Sequence, residues 1–86
     1  MLTAGFKITR DHLAHPKYND EGFTCGNLTA PRPLKFRLYD DDGELYYTGE
    51  ATGQGGAEMA HDWAMGHAGC TNSKVYILNR WESFIG

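Results

Sequence analysis

Six side chains have types and spacings that could do metal or thiol chemistry: His12, His15, Cys25, His61, His67 and Cys70. His12 and His15 are three apart, as are His67 and Cys70, and zinc takes four nitrogen or sulfur ligands that commonly come as two close pairs. A zinc-binding domain using His12, His15, His61, His67 and Cys70 is therefore one reading. No Cys-x-x-Cys is present, however, and His67-Ala68-Gly69-Cys70 is not a common zinc knuckle. Surface histidines with a small buried thiol account for the same residues more simply. A thiol enzyme is a further reading, with Cys70 as nucleophile, His67 or His61 as base and Asp62 as orienter. Closeness in sequence is poor evidence for such a set, because its members meet through the fold.

The run Asp40-Asp41-Asp42-Gly43-Glu44 invites a calcium reading. An EF-hand-type loop needs glycine at position 6 and glutamate at position 12. Counting from Asp40, the glycine falls at position 4 and position 12 is Ala51, so the pattern fails. Asp and Gly are ordinary turn residues that keep charge at a sheet edge. What remains is a carboxylate patch for a basic protein partner. Asn27-Leu28-Thr29 matches a glycosylation acceptor, which carries no weight without a secretory signal.

Aromatic residues are a stronger lead. Tyr39, Tyr46, Tyr76, Trp63 and Trp81 exceed what so small a core can bury, and aromatics beside Arg37 suit a protein-binding surface. The expected contact surface is Arg37, Tyr39, Asp40, Asp41, Asp42 and Tyr46.

The elements that must position these residues centre on Lys35–Glu50, KFRLYDDDGELYYTGE, two alternating runs joined by an acidic turn. Leu34, Phe36 and Leu38 should face the core, with Lys35, Arg37 and Tyr39 on the other side. A four-residue loop, Asp40–Gly43, pairs Leu38 with Leu45 and Phe36 with Tyr47, and sets Arg37 against Tyr46 on the outer face. A three-residue loop turns Tyr46 inward instead. Phe6–Thr9 reads as a short strand, and Lys17–Pro33 as a long loop punctuated by Gly and Pro. Ala57–Met65 has helical spacing with Gly66 as its stop. Val75–Leu78 and Trp81–Ile85 flank Asn79-Arg80 as a second hairpin. The expected fold is α+β and mainly β: a small antiparallel sheet of about five strands, two hairpins plus an N-terminal strand, with one short helix near 57–65.

Eighty-six residues, with 41% hydrophobic and 13% aromatic content, make a single domain spanning 1–86 with enough apolar surface for a core. No apolar run reaches the roughly 18 residues of a membrane span, and the first residues have no signal-like apolar segment. A cytoplasmic location with both thiols reduced is expected; a Cys25–Cys70 bridge would require export. The net charge of −3 is uneven: residues 40–50 hold five acids and no base, whereas six of the eight Lys and Arg precede residue 40. Read as an acidic hairpin in a mixed surface, this argues against nucleic acid as partner.

With these residues in view, the chain resembles a group of small bacterial proteins. The resemblance rests on Lys7–His12 (KITRDH), Phe36–Gly49 (FRLYDDDGELYYTG) and Ala68-Gly69-Cys70-Thr71, while Gln54–His67 departs from the group's pattern. The group implies no activity, ligand or site residue. The expected function is a non-enzymatic protein acting through protein contacts, without a cofactor, in contact with neither nucleic acid nor membrane. A homodimer through an unprotected sheet edge is a further expectation.

Overall fold

The computed structural model describes residues 4–13, 20–26, 28 and 33–85. Six strands form one antiparallel sheet: β1 (Gly5–Asp11), β2 (Thr24–Gly26), β3 (Leu34–Tyr39), β4 (Leu45–Ala51), β5 (Asn72–Ile77) and β6 (Arg80–Ile85). Their spatial order is β2-β1-β4-β3-β5-β6. A single helix, α1 (Gly53–Ala68), connects β4 to β5 across β3 and packs on one face of the sheet. The β-rich class with one helix is as expected. The additional strand is β2, three residues within the segment read as loop, and it pairs with β1 opposite Phe6.

Strand alternation sorts the two faces. Phe6, Ile8, Phe36, Leu38, Tyr47, Ala51 and Val75 are fully buried on the side that faces α1. The helix meets them with Gly56, Ala57, Ala60, His61 and Ala64, a stripe of mostly small residues that lets helix and sheet approach closely. At Gly56 a methyl group would meet the Gly5 carbonyl and the Ala51 side chain, so glycine is required for this approach.

The helix is longer at both ends than its sequence suggests. Glycines 53, 55 and 56 are poor helix formers, each costing about 1 kcal/mol relative to alanine. Tertiary anchoring overrides them: Thr52 N–H donates to Gly5 O at 2.9 Å, and Gly5 N–H donates to Thr52 Oγ1 at 2.7 Å. The stop is Gly69 rather than Gly66. Gly69 is left-handed (φ 80°), its N–H donates to Met65 O, and Cys70 N–H donates to Ala64 O. The Gly69–Met65 bond is that of an αL helix cap, and an apolar contact of the residues after such a glycine with the last turn commonly accompanies it. Cys70 fills that place and is fully buried.

The central hairpin turns through the three-residue alternative and not the four-residue loop: Asp40 N–H donates to Glu44 O at 3.0 Å, Gly43 is left-handed (φ 80°), Tyr39 lies opposite Leu45 and Tyr46 packs inward. A bulge at Tyr46, which neither alternative contained, then pairs Leu38 with Tyr47, Arg37 with Thr48 and Phe36 with Gly49. Two features select this register. Asp40 Oδ1 accepts from the N–H groups of Asp42 and Glu44 at 2.9 and 2.8 Å, wrapping the turn around one carboxylate. Gly49 leaves room for the Phe36 ring, which together with the Lys7 carbonyl occupies the space a β-carbon would need. The second hairpin turns at Leu78-Asn79, both with positive φ (54° and 63°), one residue earlier than the Asn79-Arg80 turn expected.

Candidate functional site

The structure disperses the residues that suggested metal or thiol chemistry. His12 Nε2 lies 2.9 Å from Thr48 Oγ1. His61 is buried beneath the helix, its Nδ1 unpartnered, and His67 sits in the last turn of α1, 3.0 Å from Asp20 Oδ2. His15 lies outside the described residues. Among the described residues, no three His, Cys, Asp or Glu side chains group to hold a metal ion. Cys25 and Cys70 are both free. Burial, and secondarily Asp40, pushes the Cys70 thiol up to about 12, away from the thiolate a nucleophile needs. Asp62 is exposed.

A different polar constellation lies on the helix side, and sequence reading missed it. Tyr47 O–H donates to Asp20 Oδ2 at 2.8 Å, the same oxygen that faces His67. Asp20 N–H donates to Asp11 Oδ2, and Asp11 Oδ1 accepts from Leu13 N–H, both at 2.9 Å. Beside this, Phe23, Trp63 and His67 stack in a column, with ring centroids 4.9 Å apart at each step. Burial, then Asp20, raises the Tyr47 phenol far above its ordinary range. The arrangement fastens residues 20–26 to the helix: Asp20 acts as a latch and Trp63 covers Phe6 and Tyr47. Asp20 carried no signal in the sequence because its partners are 27 and 47 positions away.

The opposite face of the sheet has no covering element among the described residues. Register places Lys7, Arg10, Lys35, Arg37 and Lys74 there, five of the six described Lys and Arg. One carboxylate shares the face, Glu50, in register between Lys7 and Lys35. The sixth cation, Arg80, pairs with Glu82 in the register of inward-facing Ile77 and Val75. Across five strands runs the row Arg10, Thr48, Arg37, Lys74, Ser83, with three cations and no acid. Arg37 and Lys74 are direct cross-strand neighbours, a like-charge pairing that costs stability. Neither the His67–Asp20 contact nor the Arg80–Glu82 ion pair touches this row.

Aromatic rings interleave with these charges. The Arg37 guanidinium lies over Trp81, 4.0 Å from the ring centroid, and the Lys74 ammonium lies 5.3 Å from the Tyr39 ring centroid. Tyr76 meets Trp81 edge-on at 5.3 Å and is 40% exposed. Arg37 Nε is shielded and has no hydrogen-bond partner among the described residues. An open depression of about 300 Å³ beside Tyr39 and Lys74 is bounded by Asn72 and Ser83.

Of the contact residues expected from sequence, Arg37 and Tyr39 belong to this face. Tyr46 does not oppose Arg37; the bulge packs it against the core cluster, and burial followed by the Asp40 carboxylate raises its phenol. Asp40 is committed to the turn, and Asp41 Oδ1 accepts from Thr71 Oγ1 at 2.5 Å, fastening the turn to the start of β5. Tyr76 and Trp81, expected among the surplus aromatics but not in the contact set, join Arg37 here, and Lys74 was not expected. Carrying the inward–outward parity of β3 across to β5 and β6 would have found them.

No protein family, curated protein or solved structure matches the chain. No helix among the described residues is long and apolar enough to cross a membrane.

Proposed function

We propose that this protein is a non-enzymatic domain that acts through macromolecular contacts made by the open face of its sheet. The observation that carries this reading is the Arg10–Arg37–Lys74 row: three cations across the sheet, two directly opposed, with no ion pair among them. A chain selected only for folding gains by replacing one member of an opposed like-charge pair. Local rules broken without structural compensation are characteristic of functional surfaces. Stacking of Arg37 on Trp81 and of Lys74 near Tyr39 holds both cations in place while leaving their charge unneutralised.

The partner on this face is anionic. A second copy meeting it face to face would set the same row of cations against itself, so the face suits a ligand of opposite charge. The acidic turn is a separate feature, since Asp40 and Asp41 are engaged within the fold.

Retention on heparin tests this directly. The wild-type protein, although −3 overall, binds the resin at low salt, and an Arg37→Gln/Lys74→Gln double variant passes through. Wild-type protein in the flow-through at roughly 20 mM salt would overturn the reading, because a contiguous cationic face must be held at that ionic strength.

A further inference from the structure

We infer that the ligand of the open face is a single-stranded nucleic acid, with phosphates held by the cation row and bases stacked on Tyr76, Trp81 and Tyr39. The inference rests on the open face being a binding surface and adds the chemistry of its occupant.

Two anionic polymers fit a row of cations, an acidic polypeptide and a nucleic acid strand. The aromatic side chains decide between them. Carboxylates use the cations alone, whereas bases need flat apolar rings at regular intervals among them. Arg37-x-Tyr39 on β3 and Lys74-x-Tyr76 on β5 place a cation and a ring on the same face, about 6.6–6.8 Å apart along each strand. Trp81 on β6 lies opposite Tyr76 and carries the Arg37 guanidinium on its ring. A guanidinium resting over a ring in this way can take a base on its other side and donate N–H groups to a phosphate. Arg37 Nε–H finds no acceptor among the described residues.

A single strand suits this surface better than a duplex. Its bases are free to splay onto rings lying in a sheet, while those of a duplex are paired and stacked. No groove-entering helix or ribbon projects from the open face among the described residues. Recognition through phosphates and base faces makes no use of the ribose 2′-hydroxyl, so RNA and DNA are taken alike.

The concentration of cations here overrides what net charge suggests. All eleven Asp and Glu are described, and strand register puts Glu50 alone of them on this face, with the acidic turn at its margin where Gly43 lines the depression beside Tyr39 and Lys74. With three phosphates neutralised by the row, log affinity falls by about 2.1 for each tenfold rise in salt.

The test is fluorescence anisotropy with three labelled probes: a mixed-sequence single strand of about twelve nucleotides, as RNA and as DNA; the corresponding duplex; and an oligoglutamate peptide. The single strand binds at least about tenfold more tightly than the duplex or the peptide, and loses roughly twentyfold between 50 and 200 mM salt. Tyr76→Ala and Trp81→Ala each weaken single-strand binding about tenfold or more. Tyr76 is exposed enough for its alanine variant to retain the fold, which circular dichroism verifies. Equal affinity for duplex and single strand, unchanged by Tyr76→Ala, would overturn this inference and leave the anionic surface standing. Binding of oligoglutamate alone would do the same. Failure of every polyanion to bind would overturn both readings.

Discussion

The two faces of the sheet are built from the same strands and solve opposite problems. On the helix side, Phe6, Phe36, Leu38 and Tyr47 are fully buried, and the polar groups at the margin converge on Asp20. On the open side, cations stand in a row without acids and rest on aromatic rings. One face is optimised for cohesion; the other keeps a repulsive arrangement. The difference separates the face that packing explains from the face on which we place the proposed contact.

Substitutions on the covered face should damage stability alone, in proportion to how little the packing can yield. The largest effect belongs to Gly49→Ala, because the added carbon meets the Lys7 carbonyl and the Phe36 ring, and the carbonyl belongs to a paired strand. Urea denaturation should show a loss of about 2–3 kcal/mol. Tyr47→Phe removes the O–H that donates to Asp20 and should cost about 1–2 kcal/mol, with residues 20–26 gaining hydrogen exchange. Were either variant as stable as wild type, the covered face would not be the close-packed body described.

Chemical reactivity draws the same contrast at Cys70. The thiol is ordinarily near 9 and is raised to about 12 in the folded protein. At pH 8 its thiolate fraction is therefore about a thousandfold below that of a free thiol, and iodoacetamide should modify Cys70 far more slowly than unfolded control protein. The linkage has a definite sign. A thiol whose folded value is raised favours the folded state below pH 9, and that contribution is lost as pH rises from 9 toward 12. Tyr47, raised by burial and Asp20, acts in the same direction. Urea midpoints should fall steadily above pH 9; a flat profile to pH 11 would contradict the burial of both groups.

The smallest stability effect, and the sharpest contrast, is on the open face. Lys74→Thr removes one member of the opposed pair and should leave stability unchanged or raise it by about 0.2–0.5 kcal/mol, while weakening heparin retention. A loss of stability comparable to that of Tyr47→Phe would mean that Lys74 is structural.

Much of this was legible from residue order, and the gaps have physical causes. Alternation in Leu34–Tyr39 showed which residues of β3 face inward, and Asp40–Glu44 announced its turn. The turn with left-handed Gly43 was legible as one of two alternatives, but the bulge at Tyr46 was not, because it depends on where the Asp40 carboxylate finds its N–H donors and on the space at Gly49. β2 is only three residues and exists through its pairing with β1. The first turn of α1 forms against glycine propensity because Gly5 and Thr52 bind each other. The open-face cluster was hidden for a related reason: Arg10, Arg37 and Lys74 are distant in sequence and meet only through strand order. Net charge, summed over the chain, concealed the segregation.

The central claim is that the open face, and not the helix face or the acidic turn, meets the partner. The most direct measurement is a ¹H–¹⁵N correlation spectrum recorded while a short single-stranded oligonucleotide is titrated in at low salt. The account predicts that the amides of Arg37, Tyr39, Lys74 and Tyr76 and the Trp81 indole N–H shift, while Ala57–Ala64 and Asp41–Gly43 stay in place. Shifts confined to the helix or the acidic turn, or no shifts at any concentration, would contradict it.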